Sequence, residues 1–230
     1  MADRPVRARA GPRFRRASPQ VRRAALVEAT LDCLRRYGRD GASARRISAH
    51  AGVSVGLINH YYPGKAALVA AAYDSLASSL LDAIRRHALA VRVEPRERLK
   101  RFFQASFSPE HIDPELFKVW VVFWSMVGHA AEMRRVHDRT YGATRATLEA
   151  LLAELRRQPG VPAFRLRPAA IGLAALLDGL WIEASLNPTT FRPADAVALC
   201  TDWVDALLNG GLPGLRRHAT RGTAGRSPGN

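Results

Sequence analysis

Four aromatic residues and one carboxylate offer the clearest prospect of chemistry in this chain. Trp120, Phe123 and Trp124 recur at i, i+3 and i+4, the spacing that puts side chains on one face of a helix. Asp178 precedes Trp181 by three residues on a later apolar stretch that should enter the same core. Aromatic faces attract a cation and a buried carboxylate offsets its charge, so this set could hold a quaternary ammonium. Ordinary core packing is the alternative, with Asp178 hydrogen-bonded to a neighbouring side chain or to the backbone. Phe103, on the apolar stretch before Trp120, joins the candidate ligand contacts.

Catalysis and metal binding find little support. His129 and Glu132 are i, i+3, and His137 lies eight residues from His129, yet no second motif completes a ligand set, and a solvated helix face accounts for them. Ser, Cys and His occur without the spacing of a nucleophile and its base, and there is no Gly-rich phosphate loop. The chain reads as a non-enzyme without cofactor or metal. Cys33 and Cys200, the only cysteines, sit in apolar helical patterns that suit buried, inert thiols better than a disulfide or a redox switch.

The element organising the chain is Ser43 to Leu68. Ser43 is a good N-cap for a helix to about His50, Ala51-Gly52-Val53 supplies a turn, and Ser54 caps a second helix. That is a helix-turn-helix, whose second helix lies in the DNA major groove. With Ile58 and Tyr62 facing inward, Val55, Gly56, Asn59 and His60 turn outward, and Gly56 lets the backbone approach DNA. Pro63 suits the first turn of the next helix, and Lys65 stands near its N-terminus, where it can hold a phosphate. Ser43, Arg45, Ser54, Leu57 and Tyr61 complete the expected DNA contacts.

Charge agrees with one DNA-facing end. The net +15 divides as +7 over residues 1–23, +3 over 24–73, +1 over 74–215 and +4 over the rest. Positive charge gathers toward the helix-turn-helix, as expected if that end meets phosphate, although Arg-rich ends also serve solubility. No N-terminal segment has the apolar core of a signal peptide. The longest apolar runs, near Val119–Ala131 and Ala169–Leu177, look too short to span a bilayer, so a cytoplasmic location is expected.

The fold expected is all-α, about nine helices, with a three-helix head on a larger helical body. Residues 1–18 read as a disordered basic arm, 19–65 as the DNA-binding domain, 66–209 as the ligand-binding and dimerisation domain, and 210–230 as a disordered tail. The first helix covers Gln20 to Tyr37, closed by a Gly38–Gly41 loop, and a long connector runs from Lys65 to about Leu89. Helices at 168–186 and 193–208 are apolar over more than one face, which favours a two-fold dimer contact, unless the long helices cover them within one chain.

The run Ala51-Gly52-Val53-Ser54-x-Gly56-x-Ile58-x-His60-Tyr61-Tyr62-x-x-Lys65-x-x-Leu68 resembles the signature of the TetR family of transcriptional repressors. Asn59 stands where many members carry tyrosine, which leaves base preference open. In the body, Lys118-x-Trp120-x-x-Phe123-Trp124, His129, and Gly172 to Trp181 resemble the choline-sensing branch of that family, which represses glycine betaine synthesis. The resemblance covers about residues 20 to 209. It implies a homodimeric repressor that binds a near-palindromic operator on double-stranded DNA and is released by a small effector, choline or a related quaternary ammonium, held by Phe103, Trp120, Phe123, Trp124, Asp178 and Trp181. The alternatives are a regulator of efflux or catabolism sensing another hydrophobic or cationic molecule, a small-molecule carrier with a vestigial head, and a ligand-independent architectural DNA-binding protein.

Overall fold

Prolines and short polar side chains set the helix starts. Ser18 accepts a hydrogen bond from the Val21 N–H ahead of Pro19, and Asp113 accepts one from the Glu115 N–H at 2.9 Å ahead of Pro114. Asp195 accepts one from the Arg192 N–H at 2.9 Å across Pro193. Proline fits there because the first-turn N–H has no partner within its own helix.

The computed structural model describes residues 18–90, 92–189 and 192–216. The basic arm expected over 1–18 lies outside the described residues except for Ser18, as does the tail from 217 onward. Nine α-helices follow in order among the described residues: α1 Pro19–Gly41, α2 Ala44–His50, α3 Val55–Tyr61, α4 Lys65–Leu89, α5 Pro95–Ser106, α6 Pro114–Val127, α7 Ala131–Arg156, α8 Leu166–Leu186 and α9 Pro193–Leu208. No strand occurs among them; Phe164 and Arg216 form one isolated antiparallel bridge.

Four local expectations are corrected. Gly38 does not open a loop: its φ of +62° kinks α1, and another helical turn runs on to Gly41. Pro63 precedes its helix rather than occupying the first turn, because Gly64, at φ +89°, is the N-cap of α4. The chain after Asn209 stays ordered through Arg216, where the Arg165 N–H bonds the Leu215 carbonyl at 2.7 Å and the Arg216 guanidinium bonds the Gly210 carbonyl. Two helices, Lys65–Leu89 and Leu166–Leu186, are long and apolar enough to cross a membrane by composition. Both are core helices here: α4 buries Leu68, Tyr73 and Leu81, and α8 buries Leu173 and Leu177.

Two cores divide the packing. One joins α5, α7, α8 and α9 with the far half of α4, through Leu99, Phe102, Phe103, Leu152 and Leu173. The other holds Leu26, Cys33, Ile47 and Ile58 of the head together with Tyr73 of α4, Val119, Trp120 and Phe123 of α6, and Met133 and Val136 of α7. The head core is therefore continuous with the body, and α4 and α7 carry residues of both cores. Burial pushes the Cys33 thiol up, and that of Cys200 to about 12, so both stay protonated and unreactive at neutral pH.

Candidate functional site

In the head, Ser43 caps α2 by accepting the Arg46 N–H at 3.2 Å. The turn closes with two backbone bonds, Val53 N–H to the Ser48 carbonyl at 2.9 Å and Gly52 N–H to the Ala49 carbonyl at 3.2 Å. This pattern requires a left-handed residue after the helix, supplied by Gly52 at φ +66°. Ser54 occupies the N-cap of α3, but its hydroxyl makes no capping bond. Ile58 is buried, whereas Tyr62 is half-buried at the C-cap with extended backbone and hands its hydroxyl to the Arg23 carbonyl at 3.4 Å.

Ser43, Arg45, Ser54, Val55, Gly56, Asn59, His60 and Lys65 are exposed, and Leu57 and Tyr61 are half-buried. Tyr61 is tied to the first helix: its hydroxyl accepts Arg22 Nη1 at 3.4 Å, and the Arg23 guanidinium lies 5.8 Å from its ring centre. Nothing lies within 4 Å of where a Gly56 side chain would begin, so the space above that backbone is open.

In the body, the tryptophans of α6 and α8 meet. Ring centres of Trp120, Trp124 and Trp181 are 6.0 to 6.2 Å apart in each pairing, the two contacts with Trp181 being edge to face. Trp181 is fixed by donating its indole N–H to the His111 carbonyl at 3.0 Å. The Trp120 indole N–H is buried without an acceptor among the described residues. All three border a cavity of about 130 Å³. From α4 come Tyr73, Ala77, Leu80, Leu81 and Ile84; from α5 and the loop after it, Phe102, Ser106 and Phe107. Helix α7 adds Thr140, Tyr141, Thr144 and Arg145, and α8 adds Ala174, Leu177 and Asp178.

Asp178 accepts a hydrogen bond from the Tyr141 hydroxyl. Burial pushes its carboxyl above the usual carboxylate range, while that bond and the positive charge of His137 pull it partly back. Tyr141 is pushed well up by burial and by the Asp178 charge, so it remains a donor. Its ring stacks on His137 with centres 4.7 Å apart, and His137 Nδ1 lies 2.8 Å from the Tyr73 hydroxyl. Burial likewise pushes Tyr73 up to about 12.

Of the six expected ligand contacts, Trp120, Trp124, Asp178 and Trp181 line this cavity. Phe103 and Phe123 do not. Phe103 points into the body core beside Phe102, and Phe123 is fully buried and stacks on Tyr73 with centres 4.8 Å apart. Tyr73, Phe102, Tyr141 and Arg145 are wall residues that the spacing argument missed. One signal was present: Thr140, Tyr141, Thr144 and Arg145 form an i, i+1, i+4, i+5 polar patch on a helix with its own apolar stripe. His129 is exposed, and among the described residues no group of His, Cys, Asp and Glu could hold a metal ion.

Residues 26–72 match the family described as bacterial regulatory proteins of the tetR family, and residues 95–209 match the BetI-type transcriptional repressor C-terminal domain. A short-loop helix-turn-helix on a cavity-bearing helical body, together with these matches, defines a DNA-binding transcriptional regulator rather than an enzyme. The chain belongs to the TetR family and is BetI-type. The BetI regulator of Burkholderia thailandensis is 34% identical over 189 residues, spanning 82% of this chain and 94% of that protein. The crystal structure of a proposed transcriptional regulator from Pseudomonas aeruginosa is 48% identical with a TM-score of 0.83, covering 89% of this chain and 99% of that one. That of a proposed regulator from Saccharomonospora viridis, solved in complex with choline, shares the fold at a TM-score of 0.67 and 20% identity, covering 81% of this chain and 96% of that one.

Proposed function

We propose that this regulator is a homodimeric repressor released from its operator by a quaternary ammonium, choline or a related compound. The observation that carries the reading is the meeting of three indole rings about 6 Å apart at the wall of a cavity of about 130 Å³ that a half-buried carboxylate, Asp178, also lines. A cation above this triangle lies within ~6 Å of all three ring centres, and Asp178 supplies the opposing charge. An apolar cavity of about 150 Å³ takes a molecule the size of benzene, so a compound of about seven heavy atoms suits the volume. The choline bound by the S. viridis protein agrees with this ligand class. The apolar wall of Leu80, Leu81, Ile84, Phe102 and Phe107 favours a bulkier hydrophobic cation as the second reading.

At the head, Val55, Gly56, Asn59 and His60 are assigned to base edges, and Ser43, Arg45 and Lys65 to phosphates, with Asn59 able to pair bidentately with adenine. Regulators of this family bind DNA and usually form dimers. A second copy is assigned to α8 and α9, where Ile171, Leu186 and Leu199 are about half exposed, at 48%, 57% and 50%. Half-sites lie a helical turn apart, so a cavity ligand that shifts α4 alters head spacing and releases DNA. With DNA as its partner, the protein is assigned to the cytoplasm.

Calorimetry with choline on the wild-type protein and on Trp124→Ala tests the ligand. Binding by the wild type, weakened about tenfold or more in the variant with operator affinity kept, is expected. If a well-folded wild type takes up neither choline nor a bulkier quaternary ammonium, the reading is wrong.

A further inference from the structure

The cavity wall carries two ionisable groups of opposite sign, Asp178 and Arg145, and they are not paired with each other. Arg145 is half-buried and, among the described residues, makes no ion pair or hydrogen bond. Two other arginines of α7 are paired: Arg139 with Asp74 at 2.7 Å and Arg135 with Glu132 at 3.9 Å. Glu149, one turn along the same helix, is the partner an exposed arginine would ordinarily take. Arg145 leaves it and borders the cavity instead.

The two charges also sit at different heights. Tyr73 bonds His137 near one end of the α4–α7 pair, and Arg85 bonds Thr147 at 2.6 Å near the other, so the helices run side by side in the same direction. Tyr141 holds Asp178, and Arg145 stands one turn beyond it, about 6 Å farther from the head. The tryptophans and Asp178 thus mark a cation end, and Arg145 an anion end.

We propose that the effector is a quaternary ammonium that also bears a carboxylate, its cation held by the tryptophans beside Asp178 and its carboxylate by Arg145. The inference rests on the reading of the cavity as a quaternary ammonium site. A ligand with a cation alone leaves the guanidinium unmatched and is repelled by it. A carboxylate forms charge-assisted hydrogen bonds with the guanidinium fork, among the stronger polar contacts a protein makes.

Calorimetric titration with choline, glycine betaine and 4-(trimethylammonio)butanoate, on the wild-type protein and on Arg145→Gln, tests this. The two carboxylates differ in how far the anion stands from the cation. In the wild type at least one of them should bind about tenfold or more tightly than choline. Arg145→Gln should remove that advantage while choline binds as well as before or slightly better, a crossover that a damaged fold does not produce. Choline preferred in the wild type, or a carboxylate preference that survives Arg145→Gln, overturns the role of Arg145 and leaves the quaternary ammonium site standing. No binding by any of the three, nor by a bulkier quaternary ammonium, overturns both.

Discussion

Tyr73 and Trp120 meet edge to face with ring centres 5.7 Å apart. The first belongs to α4, which starts at Lys65 in the head; the second is a wall of the cavity on α6. Both are members of the core that contains Leu26 and Ile47 of the head. Cavity wall and DNA-binding helices are therefore in continuous packing contact, and a close-packed core transmits displacement rather than absorbing it.

The ligand site should be pH-sensitive in a direction fixed by Asp178. Its carboxyl is raised above the usual range, chiefly by burial. A protonated Asp178 offers a cation no charge, so affinity should rise as pH increases through the raised pKa and level off once the group is ionised. Below that pKa, cation binding should release up to one proton per site. Other groups around it are Tyr141, Tyr73, His137 and Arg145; the two tyrosines are pushed up and stay protonated. Asp178→Asn leaves Tyr141 an amide oxygen to bond, and should weaken cation binding about tenfold or more at pH 8 while flattening the profile. A profile that persists in Asp178→Asn removes Asp178 as its source.

Two glycines of the head separate folding from DNA reading. Gly52 sits at φ +66°, so Gly52→Ala should destabilise the protein by about 1–2 kcal/mol through the backbone alone, nothing lying within 4 Å of the added methyl. Gly56 lies inside α3 without a positive φ and faces open space, so Gly56→Ala should leave stability unchanged or raise it by up to about 1 kcal/mol. If α3 lies against DNA as assigned, that variant should nevertheless lose operator affinity. Thermal unfolding and fluorescence anisotropy read the two effects; a Gly56→Ala protein with full affinity removes the close-approach role.

The dimer assignment predicts that Ile171→Glu with Leu199→Glu yields a folded monomer. Both side chains are about half exposed, so each change should alter the chain's own stability by no more than about 0.5 kcal/mol. Sedimentation velocity should show the loss of the dimer, and a two-half-site duplex should bind much more weakly. A double variant that stays dimeric places the contact elsewhere.

Much of this organisation is legible in the sequence because its determinants are local. Ser43 and Asp113 cap their helices, prolines mark starts, and Gly52 turns the chain, each needing only neighbours a few residues away. The three-tryptophan grouping was half legible: two rings share α6, and only the third requires knowing that α8 packs beside it. Phe102 and Phe103 show where such reading stops. Both are 1% exposed, adjacent on α5 and about 100° apart around its axis, and the rotation of α5 against α4 decides which one meets the cavity. Tyr141 and Arg145 were hidden for the same reason, since the inward face of α7 is defined by the helices on either side. Gly38 and Pro63 misled because each is also compatible with the conformation it did not adopt.

Tyr73 supplies the test of coupling. Its ring stacks on Phe123 and meets Trp120, while its hydroxyl lies 2.8 Å from His137 Nδ1. Tyr73→Phe keeps the ring and removes one hydrogen bond between α4 and α7, which should lower stability by about 1 kcal/mol. Tyr73 itself borders the cavity, so ligand affinity in the absence of DNA is the reference against which the coupling is read. A ligand moves an equilibrium only by its different affinities for the two states, and the coupling is reciprocal: if ligand weakens DNA binding by some factor, DNA weakens ligand binding by the same factor. If the bond from Tyr73 to His137 helps hold α4 against the ligand-bearing helix, Tyr73→Phe should reduce that factor in both titrations together. Calorimetry of ligand with and without operator, and anisotropy of operator with and without ligand, give the factor independently. An unchanged factor in both would mean that the signal leaves the cavity through Trp120 and α6 instead.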